Sequence, residues 1–184
     1  AIVKALFNDQ EFKKKYYLGS INSINWARIL PQIVYYFYAW FQVPKDDSEL
    51  VSFVVPTGNF GNVLAGYYAK RMGLPIDKLV IGTNENDILH RFFSKGEYHR
   101  TALIETYSPS MDIQISSNFE RYLYDLAGNS AETLQHWMDD FERSGKLTLE
   151  GDLLIQAQSD FDSAHVSDEE IVRTIRDFHL ETGY

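Results

Sequence analysis

Cysteine is absent from the 184 residues, so neither disulfides nor thiolate metal sites can form; the reducing cytosol or an organelle matrix is permitted, and the cytoplasm is the expected setting. Bases are in the minority, 17 Lys and Arg against 26 Asp and Glu, and the formal charge of -9 repels nucleic acid and anionic membrane. No nucleic-acid partner is expected. A long uninterrupted apolar run is also missing. The most hydrophobic stretch, residues 26–43, is broken by Arg28, Pro31 and Gln32 and carries several tyrosines, which makes it a poor membrane span and a better buried helix. Residues 1–12 hold neither an initiator methionine nor a basic region leading into an apolar one. No secretory signal is expected there, and the chain reads as a mature or excised segment. Internal repeats and low-complexity tracts are lacking too.

What is present is the composition of a folded globular protein, with 45% hydrophobic and 23% charged residues in a length suited to one domain. Aromatics reach 15% and crowd into residues 26–41. There Trp26, Ile29, Leu30, Ile33, Val34, Phe37 and Phe41 recur at three and four residues, which predicts a helix to about Gln42. Pro31 lacks a backbone donor and predicts a kink in that helix or a start later than Asn25. The β-branched run 51–55 suits a strand buried on both faces, with 56–62 as its exit loop. A helix over 63–72 is ended by Gly73, with Pro75 beyond it, and 79–82 gives the next strand. Helix, strand, loop, helix, strand is the repeat of an α/β protein with a parallel sheet flanked by helices. A further helix is expected over 86–95, and 101–117 loses periodicity. Phe119, Tyr122, Leu123 and Leu126 form one helical stripe; Leu134, Trp137, Met138 and Phe141 form another. Ser167 with Glu170 makes a capping box before a final helix. The expected division is an α/β segment over 1–113 and a mainly helical one over 114–184.

The chemistry concentrates in Pro56, Thr57, Gly58, Asn59, Phe60, Gly61 and Asn62, between a strand and the next helix. At that place free amides and the positive end of the helix dipole favour a phosphate dianion, and Gly58 and Gly61 let the backbone turn sharply and come close to it. The plain alternative is a tight turn with no ligand. The Lys-Ser/Thr pair of a nucleoside-triphosphate loop is missing, which excludes ATP hydrolysis of that type. A dinucleotide site stays open, because Gly58, Gly61 and Gly66 loosely imitate its spacing and Glu85 follows the next strand. Ser20, Asn22, Ser23 and Asn25 precede the first long helix. They offer hydroxyl and amide groups to an anion, or one of them caps the helix. His90, His99, His136, His165 and His179 are scattered and predict no metal site. Asp139 with Asp140, and Asp168 with Glu169 and Glu170, read as helix-surface charges.

The run 54–61, Val-Val-Pro-Thr-Gly-Asn-Phe-Gly, resembles the cofactor phosphate loop of threonine synthases. Residues 19–28 resemble that family's segment opening the helix beside its active site. Residues 73–75, 83–87, 108–113 and 117–121 resemble further family blocks in the same order, while 130–184 is similar mainly in helical character and length. The resemblance implies a fold-type II pyridoxal-phosphate (PLP) enzyme, tryptophan synthase β-like and here incomplete. It implies a carbon-oxygen lyase that takes phosphate from O-phosphohomoserine and adds water to give threonine. It places the PLP phosphate on Gly58, Asn59, Phe60, Gly61 and Asn62, with Asn59 also reaching a cofactor ring oxygen. It places the substrate phosphate or carboxylate on Ser20, Asn22, Ser23 and Asn25. Pro31 and Asn62 depart from the family pattern, where a small residue and an acid are more usual. The Schiff-base lysine of the family sits upstream in a Phe-Lys-Asp setting that none of the nine lysines here has, and the partner of the pyridine nitrogen is expected beyond Tyr184. The chain is therefore expected to be inactive alone. Its expected partners are the small-molecule substrate and either missing flanking segments or further copies, because a sheet cut from a larger one has a bare edge and face. A noncatalytic phospho-ligand-binding relative and a dinucleotide-binding domain are the alternatives.

Overall fold

The computed structural model describes residues 5–7, 9–19, 24–43 and 49–184. Helix α1 (Gln10–Tyr16) starts where Asp9 accepts from Phe12 N at 2.9 Å, and none of its residues is buried. Helix α2 (Trp26–Gln42) is capped by Asn25, whose side chain accepts from Ala27 N at 2.9 Å. It buries Ile29, Ile33 and Tyr36, one stripe at helical spacing. Pro31 does not delay the start of this helix. It stands on an exposed position inside the span, where the Ala27 carbonyl that loses its donor can turn to water.

Strand β1 (Val51–Pro56) leads through a loop into helix α3 (Gly61–Arg71), which returns to strand β2 (Ile76–Thr83). The two strands are parallel, with Phe53 opposite Leu79 and Val55 opposite Ile81. Helix α3 is buried along Val63, Leu64, Ala65, Gly66, Tyr67 and Ala69. Gly66 is required there: a Cβ would fall 2.6 Å from the Tyr36 ring and 2.9 Å from Leu79, so α2 and β2 both close onto α3 at this residue.

Helix α4 (Ile88–Lys95), strand β3 (Glu97–His99) and a single 3-10 turn (Pro109–Met111) precede helices α5 (Phe119–Leu126) and α6 (Ala131–Ser144). Strand β4 (Lys146–Thr148) pairs antiparallel with β3. After helix α7 (Asp152–Asp160), strand β5 (Phe161–His165) runs parallel to β2, which gives a sheet in the order β1-β2-β5. Helix α8 (Asp168–Thr182) closes the chain behind the Ser167–Glu170 capping box. The architecture is a parallel α/β sheet flanked by helices. The last third is not purely helical, because β5 enters the same sheet as β1 and β2.

One expectation is corrected. The run 51–55 is not buried on both faces: β1 is an edge strand and Val54 is 73% exposed. A β-branched run marks a strand without saying how many neighbours it has. The core lies on the other side, where Phe60, Phe93, Phe119, Tyr122 and Phe161 meet with ring centroids 4.8 to 6.1 Å apart.

Candidate functional site

The loop after β1 continues the ladder for one residue, since Thr57 N donates to Gly82 O at 2.8 Å and Thr57 Oγ1 turns back onto Val55 O at 2.6 Å. The turn into α3 is then made by Phe60, in the left-handed region at φ 60° and ψ 7°. Gly58 and Gly61 are not at positive φ, which corrects the expected division of labour in this loop. Gly58 is needed for closeness instead: a Cβ would lie 3.3 Å from both Met111 Cα and Ser110 O, on the 3-10 turn that covers the loop. A side chain at φ 60° costs on the order of 1–3 kcal/mol. Burial of the Phe60 ring, 1% exposed within the aromatic core, offsets a strain of that order.

Polar contacts from the segment 116–118 fix which way the loop faces. Ser116 Oγ donates to Gly58 O at 2.8 Å; Asn118 gives both its backbone N–H (3.1 Å) and its side-chain Nδ2 (2.9 Å) to Asn59 O. Ser117 Oγ donates to Asn59 Oδ1 at 3.2 Å, which leaves the Nδ2 end of that amide as the donor. The carbonyl side of the loop is thus taken up by protein. On the amide side Gly61, Asn62 and Val63 are first-turn donors of α3, and no side-chain cap covers them. Gly61 and Asn62 line a cleft of about 210 Å³ together with Arg28, Gln32 and residues 56–60.

Among the described residues, that lining contains one cation, Arg28, and no carboxylate. A helix N-terminus, uncapped amides and a guanidinium from a second helix make a set that fits a phosphate dianion. Asn62 holds both ends of its side chain on α2. The Tyr36 hydroxyl donates to Asn62 Oδ1 (2.8 Å) and lies 3.0 Å from Asn62 O; Asn62 Nδ2 donates to Gln32 Oε1 at 3.2 Å. Burial pushes the Tyr36 pKa up, so this hydroxyl stays a donor.

A second polar cluster stands at the same carboxyl edge of the sheet. Asp112 accepts from Thr106 N (3.0 Å), Thr106 Oγ1 (2.7 Å), Asn84 Nδ2 (2.7 Å) and Asn86 Nδ2 (3.0 Å). The Thr106 backbone N–H first, then the Thr106 hydroxyl and the two amides, hold the Asp112 carboxyl below the usual carboxylate range. This network ties the long connection 101–117 to the end of β2, and that connection carries the turn which covers Gly58.

No protein-family model matches the chain. Among curated proteins, a threonine synthase of Schizosaccharomyces pombe is 47% identical over 100% of the chain and 40% of its own length. One of Saccharomyces cerevisiae is 50% identical over 95% of the chain and 36% of its own length. The solved structure of a PLP-bound threonine synthase from Brucella melitensis superposes with a TM-score of 0.94 at 47% identity, over 99% of the chain and 39% of that structure. The chain belongs to the threonine synthase family. It spans about two fifths of the length of these relatives.

Within this threonine synthase segment, the structure brings Gly58, Asn59, Phe60, Gly61 and Asn62 together on one cleft. Asn25 caps α2 beside that cleft, and Ser20, Asn22 and Ser23 lie outside the described residues. The start of α2 is held from α5, where Arg121 donates to Ile24 O at 3.0 Å and stands over the Trp26 ring at 5.8 Å. Glu85 is exposed past the end of β2. Arg28 and Gln32 were given no role from sequence. Their signal was present in the spacing: positions i and i+4 after the Asn25 cap share the helix face that meets the loop. Among the described residues no lysine lines the cleft. Lys70 pairs with Asp160 at 2.8 Å, Lys146 with Glu97 at 3.3 Å, and Lys78 donates to the carbonyls of Gln158 and Ser159.

Proposed function

We propose that this chain is the central part of a threonine synthase, a carbon-oxygen lyase whose full-length form converts O-phosphohomoserine to threonine and phosphate in the cytoplasm. The observation that carries the reading is the cleft shared by the uncapped N-terminus of α3 and by Arg28, with no carboxylate among the described residues that line it. In this reading the backbone of residues 58–62 would hold the phosphate of PLP, and Asn59 Nδ2 would supply a donor to a cofactor ring oxygen. Bound PLP supplies the electron sink on which the elimination depends. Ser20, Asn22, Ser23 and Asn25 receive the substrate phosphate or carboxylate where α2 begins, with Arg28 as the nearby positive charge. Residues 1–113 carry the cradle, and residues 114–184 brace it through Ser116, Ser117 and Asn118.

The lysine that would carry the cofactor and move protons lies, in this proposal, outside the chain. The engagement of Lys70, Lys78 and Lys146 elsewhere supports that placement. The chain alone then binds the cofactor without turning over substrate. The test is visible absorbance of the purified chain with added PLP, followed by borohydride reduction, dialysis and peptide mapping. Reversible binding with no lysine singled out is the expected result. Fixation of PLP to one specific lysine would place the cofactor lysine inside the chain and refute its assignment to missing flanks.

A further inference from the structure

The Asn62 side chain, at first sight a cleft residue, is spent on α2, and the hydrogen bonds it starts run on further. Tyr36 OH donates to Asn62 Oδ1, Asn62 Nδ2 donates to Gln32 Oε1, and Gln32 Nε2 donates to Arg28 O. The sequence of donors is continuous from a buried tyrosine to the backbone of the residue whose side chain supplies the only charge among the described residues lining the cleft. Each link also has a fixed sense. The Arg28 carbonyl can only accept, so Gln32 presents Nε2 to it and Oε1 to Asn62. Asn62 then gives Nδ2 to Gln32, which leaves Oδ1 to accept from the Tyr36 hydroxyl. A carboxylate at position 62 has no donor for Gln32 and would put negative charge at the cleft. An amide satisfies both ends and adds no charge.

We propose that Asn62 and Gln32 form a positioning relay that sets the first turns of α2, and with them Arg28, at a fixed distance from the phosphate-facing N-terminus of α3. The proposal rests on the phosphate reading of the cleft given above. Asn62 thereby acts through Arg28 and the helix terminus, and its side chain is not itself a ligand. Because the relay is a single series of links, breaking it at one link or at two has the same consequence.

The test uses the isotopically labelled chain and inorganic phosphate as the probe, read on the backbone amides of residues 58–63 and on the Arg28 backbone N–H and Nε–H. The variants are Gln32→Met, Asn62→Ala and the double variant. Methionine keeps the length and helix preference of glutamine, so Gln32→Met carries the test alone if Asn62→Ala fails to fold. The expected result is a similar loss of phosphate affinity in all three, roughly three- to tenfold for one net hydrogen bond, with the Arg28 resonances already displaced before phosphate is added. Losses that add in the double variant would make Gln32 and Asn62 independent ligands and overturn the relay. So would Arg28 resonances that stay where they are in the parent chain. If phosphate moves none of the loop amides in the parent, the cradle reading fails, and the phosphate-free Arg28 resonances still decide for or against the relay.

Discussion

Phe60 combines two costs that sequence reading weighs separately, a large aromatic side chain and a left-handed backbone. Glycine would relieve the backbone and forfeit four ring contacts, to Phe93, Phe119, Tyr122 and Phe161. The anchor is therefore the side chain, and the loop is aimed by being hung on the core. Phe60→Ala is expected to lower stability by about 3–5 kcal/mol, the range for a buried aromatic truncation, measured by urea unfolding. A loss within surface-substitution range would show that the loop is held by something other than this ring. The place of the site was legible from the two glycines after a strand. The device was not, because nothing in Gly58-Asn59-Phe60-Gly61 marks Phe60, rather than a glycine, as the residue that turns.

Among the elements, helices that carry their own stop and start signals were readable: Asn25 and Ser167 cap as their residue type predicts, and Gly73 follows α3. Strand β5 was not, since Phe-Asp-Ser-Ala-His has neither alternation nor β-branched residues; its pairing with β2 is imposed from outside the segment. The connection 101–117 was equally opaque, as its order comes from Asp112 and partners 6 to 28 residues away. Its pH dependence follows. The Asp112 pKa is lowered in the folded chain, so the contribution of this carboxylate is present above its ordinary unfolded value of about 4 and is lost as pH falls through the folded value. Hydrogen exchange at the Thr106 amide should therefore lose protection on acidification below about pH 4 while the α3 amides stay protected. Protection at Thr106 that is indifferent to pH in this range would remove Asp112 from the role assigned to it.

At the scale of the whole molecule, the unburied apolar surface is as informative as the core. Val34, Tyr35, Tyr38 and Phe41 on α2 and Val54 on β1 are each more than 60% exposed, and Ile175 and Phe178 on α8 more than half. Surfaces of this composition, together with an unpaired strand edge, are ordinarily covered by further protein. That agrees with a chain spanning two fifths of its relatives, and with a cleft lined by Arg28 and the start of α3 but by no lysine among the described residues. The central claim is that this segment supplies the cradle of a threonine synthase and that the remaining chemistry comes from sequence outside it. The most direct measurement replaces the matching segment of the Saccharomyces cerevisiae enzyme, 50% identical to this chain, with these 184 residues and follows threonine formation from O-phosphohomoserine. The account predicts a folded chimera that binds PLP and turns over substrate. A folded, PLP-loaded chimera that forms no threonine would contradict it.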